Sequence, residues 1–178
     1  MIFSGLPACV WGATLVSLGA MLRGFLTVCL LFVLAGCASP GSRTERAEER
    51  AAAAGLVRWD ISAPPFVLAT FARLSDPSAP VRLYIEGDGL AWLSRREPSL
   101  NPTPGDPVGL DLALRDPAPN VVYVARPCQF IPLNTPGNHC SVRDWTSDRF
   151  SSRVMAAYQS ALDQISDDPP PERGRCPA

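Results

Sequence analysis

The residues best suited to chemistry are Gly87, Asp88 and Gly89, in the run Tyr84-Ile85-Glu86-Gly87-Asp88-Gly89. Two glycines let a backbone turn sharply and present its amides to a bound group, so an oxyanion could be held there. The same run also suits a hairpin, because Gly-Asp-Gly would join the alternation of Val81, Leu83 and Ile85 to that of Leu90 and Trp92. Spacing alone favours neither. His139, the only histidine in the sequence, stands two residues from Ser141. A working triad also needs an orienting acid and an aligned oxyanion hole, so a solvated loop histidine is the expectation. Cys128 and Cys140 flank a loop rich in Pro, Asn and Gly. In an exported chain such a pair more often forms a disulfide than a site, and closing so short a loop contributes about 3 kcal/mol. A zinc site built from Cys128, His139, Cys140 and Cys176 is the sharper alternative, without Cys-x-x-Cys spacing behind it. Arg95, Arg96 and Arg126 could meet an anionic substrate. Trp92 and Trp145 are expected to pack under long loops.

Export is read from the amino terminus. Met21-Leu22-Arg23 supplies a start and a positive charge, Phe25 to Leu34 an apolar stretch, and small residues precede Cys37, which is the order of a secretory signal over residues 1–36. Met21 is an alternative start to Met1. A retained membrane span is the other reading, since about 20 apolar residues suffice to cross a bilayer. Leu34-Ala35-Gly36-Cys37 resembles the lipobox of bacterial lipoproteins. That resemblance implies a Cys37 thiol carrying diacylglycerol and a chain held to a membrane by acyl groups on the periplasmic side of the cell envelope. Ala38 in place of Asp points, in such lipoproteins, to the outer membrane. Residues 37–55 read as a lipidated tether: Arg43 to Arg50 alternates charges, and although Ala, Glu and Arg form helices well, no apolar face stands out to dock one.

The elements that must position these residues fit one domain, over residues 56–166. The net charge is −1 and all sixteen basic residues are arginine, so no basic stripe suggests nucleic acid. Nineteen prolines and thirteen glycines imply a loop-rich chain, yet its apolar content allows a core. Phe66 to Arg73 and Val81 to Ile85 read as strands, with Leu56 to Ile61 as an earlier one. Asp106-Pro107 reads as an N-cap followed by proline at the first helical position, opening a helix that Asp116-Pro117 stops. Val121 to Ala125 is a continuous β-branched and aromatic run, the pattern of a strand covered on both faces, which favours a parallel sheet. A last helix is expected with Thr146 or Ser147 as cap and Phe150, Val154, Tyr158, Ala161, Leu162 and Ile165 on one face. Residues 167–178 read as a Pro-rich, disordered tail. The order is that of an α/β fold.

Several separated stretches together resemble a group of bacterial α/β hydrolases: Tyr84 to Trp92, Asn101-Pro102-Thr103-Pro104, Ala125-Arg126-Pro127-Cys128-Gln129 and Trp145 to Phe150. The resemblance covers residues 66–165 and implies a partial α/β-hydrolase sheet with flanking helices, in which the Gly87 to Gly89 loop gives one oxyanion-hole amide. In that fold the second donor follows the nucleophile of a Gly-x-Ser-x-Gly elbow. No Gly-x-Ser-x-Gly occurs in these 178 residues. The resemblance therefore implies the amino-terminal part of an esterase-type serine hydrolase, inactive alone and expected to bind a small ester or acyl substrate only when intact. It names no catalytic side chain here and calls for no cofactor or metal. A Pro and Arg rich ending in place of a buried strand suggests a reading-frame change after Ile165. The alternative is a non-catalytic envelope lipoprotein that binds another chain through an exposed sheet edge.

Overall fold

The structure is a computed structural model that describes residues 42–167. Cys37, Cys176, the signal and the tail lie outside the described residues.

A four-stranded mixed sheet in the order β1-β2-β4-β3 organises the domain. β1 (Val57–Ala63) and β2 (Phe66–Leu74) pair antiparallel, and β2 pairs antiparallel with β4 (Asn120–Val124). β3 (Arg82–Ile85) runs parallel to β4. The expected parallel sheet is thus confined to one pair, joined through α2 (Val108–Arg115). Strand direction depends on how the chain returns across the sheet, which a buried run such as Val121 to Val124 does not record. What that run does record is burial: every residue of β4 is buried.

Two apolar layers sandwich the sheet. On one face α4 (Ser152–Asp167) lays Val154, Ala157, Ala161 and Ile165 against Leu68, Ala72, Val122 and Val124. On the other, Phe71, Tyr123 and Phe130 pack with Leu110 and Ala113 of α2. Phe71 stacks on Tyr123 at 5.9 Å, and Phe130 meets Tyr123 edge-on at 6.5 Å. Each such ring, fully removed from water, contributes on the order of 2 kcal/mol.

The stretch read as a tether contains α1 (Arg43–Ala53), and it is docked. A capping box starts it: the Ser42 hydroxyl accepts from Glu45 N at 3.1 Å, and the Glu45 carboxylate accepts from Ser42 N. Ala47 and Ala51, one turn apart, are buried in the Phe71 layer. Methyl groups bring little hydrophobicity but allow close approach, so the docking face is real and nearly invisible to hydropathy. Arg50 pairs with Asp111 of α2 and Arg58 with Glu48, tying the second half of α1 to its neighbours.

The last helix also begins later than expected. Ser141 caps the separate short α3 (Val142–Trp145) together with Asp144, residues 146–151 turn, and α4 starts at Ser152. Phe150 falls in the turn and is 68% exposed, so it does not share the buried face of α4.

Candidate functional site

β3 and β4 end side by side, and the loops that leave them converge. The ends of parallel strands are where open α/β sheets take their ligands. Glu86, the residue after β3, is buried and accepts four hydrogen bonds. Its Oε1 receives Gly87 N at 3.0 Å and Gly109 N at 3.1 Å. Its Oε2 receives Leu110 N at 3.3 Å and the Tyr123 hydroxyl at 3.0 Å. The cap of α2 therefore comes from Glu86 at the end of β3 and not from Asp106, as the sequence suggested; Pro107 occupies the cap position and offers no side-chain acceptor. A carboxylate there also meets the positive end of the helix. Burial, reinforced by the Glu86 charge, pushes the Tyr123 phenol far above its ordinary range and keeps it a neutral donor. Close approach is required: a Cβ on Gly109 would lie 3.2 Å from Glu86 Cα and from Ile85 O.

The Gly87 to Gly89 segment is a fixed loop and not a hairpin turn. Gln129 Nε2 donates to Gly87 O at 3.0 Å, and Leu90 N donates to Pro102 O at 3.0 Å. Arg126 Nη1 meets Asp88 Oδ1 at 2.6 Å, and Arg149 Nε lies 3.6 Å from Asp88 Oδ2. Both guanidiniums sit 5.0 Å from the centre of the Phe150 ring, a cation–π arrangement that accounts for an exposed aromatic at this point. Gly89 has φ +60°, and a Cβ there would come within 2.4 Å of Pro102 O. Glycine is obligatory at this position. Gly87 N is turned back onto Glu86, whereas the amides of Asp88 and Gly89 meet no acceptor among the described residues. Gly87 and Gly89 line an open cleft of about 500 Å³ with Ile85, Leu90, Val108 and Leu112. The arrangement offers amide donors beside an apolar wall, suited to a polarised carbonyl carrying an apolar substituent.

The facing loop after β4 is strained and braced. Cys128 and Phe130 take positive φ of 74° and 58°, a conformation costing roughly 1–2 kcal/mol for a residue with a side chain. Three features hold it. Cys128 and Cys140 are joined, with Cα atoms 5.8 Å apart. Phe130 N donates to Thr103 Oγ1 at 2.8 Å. Gln129, 1% exposed, spans from Arg126 N to Gly87 O.

The other candidates do not join this site. His139 is exposed, and its amide donates to Pro65 O at 2.8 Å. The Ser141 hydroxyl donates to Asp144 Oδ2 at 2.9 Å as the cap of α3, so the two form no nucleophile pair. The Cys128 to Cys140 bond removes two of the four ligands from the zinc alternative. Arg95 and Arg96 are exposed on an excursion closed by Trp92 and Pro98. Trp145 is buried and donates to Ser99 O at 3.1 Å, as expected, but Trp92 is 48% exposed. Sequence reasoning gave Glu86 and Gln129 no role of their own. An acid directly before a glycine turn, and an amide in the facing loop, were the signals.

Comparison of this chain with protein-family models, with curated proteins and with solved structures returns no match.

Proposed function

We propose that this chain carries the amino-terminal, oxyanion-binding part of an esterase-type α/β-hydrolase lipoprotein, anchored to the cell envelope through Cys37. One observation carries the reading: the Gly87 to Gly89 loop leaves a strand that has no partner on its outer side among the described residues and whose apolar side chains stand uncovered on one face. Val81, Leu83 and Ile85 are 45%, 37% and 48% exposed, a surface that a soluble sheet normally covers or charges. The strand order β1-β2-β4-β3, with the second strand reversed, supports the same reading. An α/β-hydrolase sheet opens in this order and continues past its third strand into the strand that delivers the nucleophile elbow. The uncommitted amides of Asp88 and Gly89 are then half of an oxyanion hole. The other half, with serine, acid and histidine, has no counterpart in these residues, so the chain by itself does not hydrolyse esters.

The exposed edge equally favours a second reading, in which β3 pairs with a strand of another protein in a non-catalytic envelope lipoprotein. The coding sequence beyond the codon for Ile165 separates the two. Codons for a Gly-x-Ser-x-Gly elbow, in this or another frame, support the hydrolase; their absence removes it and leaves the binding module.

A further inference from the structure

The docking of α1 shortens the distance between Cys37 and the folded domain. A tether to residue 55 would let the domain roam, but the capping box begins at Ser42. Five residue steps separate Cys37 from Ser42, and so many steps span at most about 18 Å. A domain leashed so closely must turn some face to the bilayer. Arg43, the first residue of α1, donates from Nη1 to Thr103 O, so the described chain begins beside the segment 99–104.

That segment forms one side of a two-stranded excursion. Trp92 bridges Pro98 antiparallel, Ser99 N donates to Ala91 O at 3.0 Å, and Leu93 N to Glu97 O at 2.8 Å. By the alternation of such a ribbon, Ala91 and Ser99 turn inward, where both are buried, while Trp92, Pro98 and Leu100 share the outer face. Leu100 is 77% exposed, Leu93 58% and Trp92 48%. Arg95 and Arg96 occupy the tip, with Glu97 offsetting one charge. Tryptophan and leucine beside arginine is the composition that enters the headgroup region of a bilayer, and the net positive tip complements anionic lipid.

We propose that the 92–100 excursion is a membrane-contacting surface, with Trp92 and Leu100 entering the interface of an anionic bilayer and Arg95 and Arg96 meeting its headgroups. It rests on the anchoring at Cys37, and not on the esterase reading. The domain would then be held at a set orientation and not merely tethered.

The test uses the full chain, purified from the membrane of an expressing bacterium and reconstituted into vesicles of phosphatidylglycerol and phosphatidylcholine with brominated acyl chains. Tryptophan fluorescence should be quenched relative to unbrominated vesicles. Trp92→Phe should lose most of that quenching, and Arg95→Gln with Arg96→Gln should bring it down to the level seen in phosphatidylcholine alone. Full quenching in the Trp92→Phe chain overturns the proposal. So does an absence of quenching, which would leave the excursion to a protein partner. Mass spectrometry of the amino-terminal peptide reports lipidation of Cys37 separately, so failure of the anchor and failure of the loop contact are read independently.

Discussion

The sheet has two margins and they are built differently. At β1 the edge carries Arg58 and Asp60, which pair with each other at 2.8 Å, and Arg58 also reaches Glu48 of α1 and Phe130 O. Charges on an edge strand discourage further pairing, and a helix packed alongside shields it. At β3 the margin leaves Val81, Leu83 and Ile85 uncovered on one face, and Val108 and Leu112 of α2 are 65% and 53% exposed. The sheet is closed at β1 and open at β3, and the open margin is the one from which the amide-rich loop and the cleft extend.

The largest expected effect lies at that loop. Gly89→Val forces a β-branched residue to φ +60° and drives its Cβ into Pro102 O; a loss of about 4 kcal/mol in urea unfolding is expected from backbone and packing together. A loss below 1 kcal/mol would mean that the open margin is loose and not preorganised. Next, Cys128→Ser with Cys140→Ser should cost about 3 kcal/mol and release the strained Cys128 to Phe130 backbone, visible as faster hydrogen exchange there and not at β1. Glu86→Gln keeps the shape but turns a donor toward the Gly109 and Leu110 amides or the Tyr123 hydroxyl. A loss of about 2 kcal/mol is expected from one buried group left without its partner.

Smaller effects address the edges directly. Ile85→Lys should change stability by less than about 0.5 kcal/mol, as for most exposed positions, while lowering self-association in sedimentation. Asp60→Val at the other margin should raise it. Equal behaviour at both margins would break the comparison. The smallest effect is a pH dependence at the base of β3. The Tyr84 hydroxyl, donating at 2.7 Å, is the main cause that holds the Asp116 carboxyl below its ordinary range, helped by Ala118 N and Arg82. Because its folded value lies below its unfolded one, its stabilising contribution is present at neutral pH. That contribution is lost as pH falls from the ordinary carboxylate range through the folded value. Asp116→Asn should flatten that part of the stability curve.

How much of this was legible in the sequence follows from which signals are local. The β4 run reads correctly because burial on both faces leaves a continuous apolar string. β2 and β3 read correctly because Pro, Ser and Asp bound them. The docking of α1 did not show, since its buried face is two alanines among charged residues, although Ser42 and Glu45 carried the capping-box spacing. Whether Gly87 to Gly89 was a hairpin or a loop depended on Pro102, Gln129, Arg126 and Arg149, all at least thirteen residues away. The same holds for the cap of α2, where Glu86 acts across 23 residues in place of the adjacent Asp106. Local chemistry located the candidate site; contacts distant in sequence decided its shape.

The proposed function requires β3 to be an interior strand of a larger catalytic sheet. The most direct measurement is labelling by a serine-reactive phosphonate, compared mole for mole between the 178-residue chain and a protein translated through whatever frame follows Ile165. The account predicts no specific labelling of the first and stoichiometric labelling of the second. Labelling of the 178-residue chain, or of neither, would contradict it.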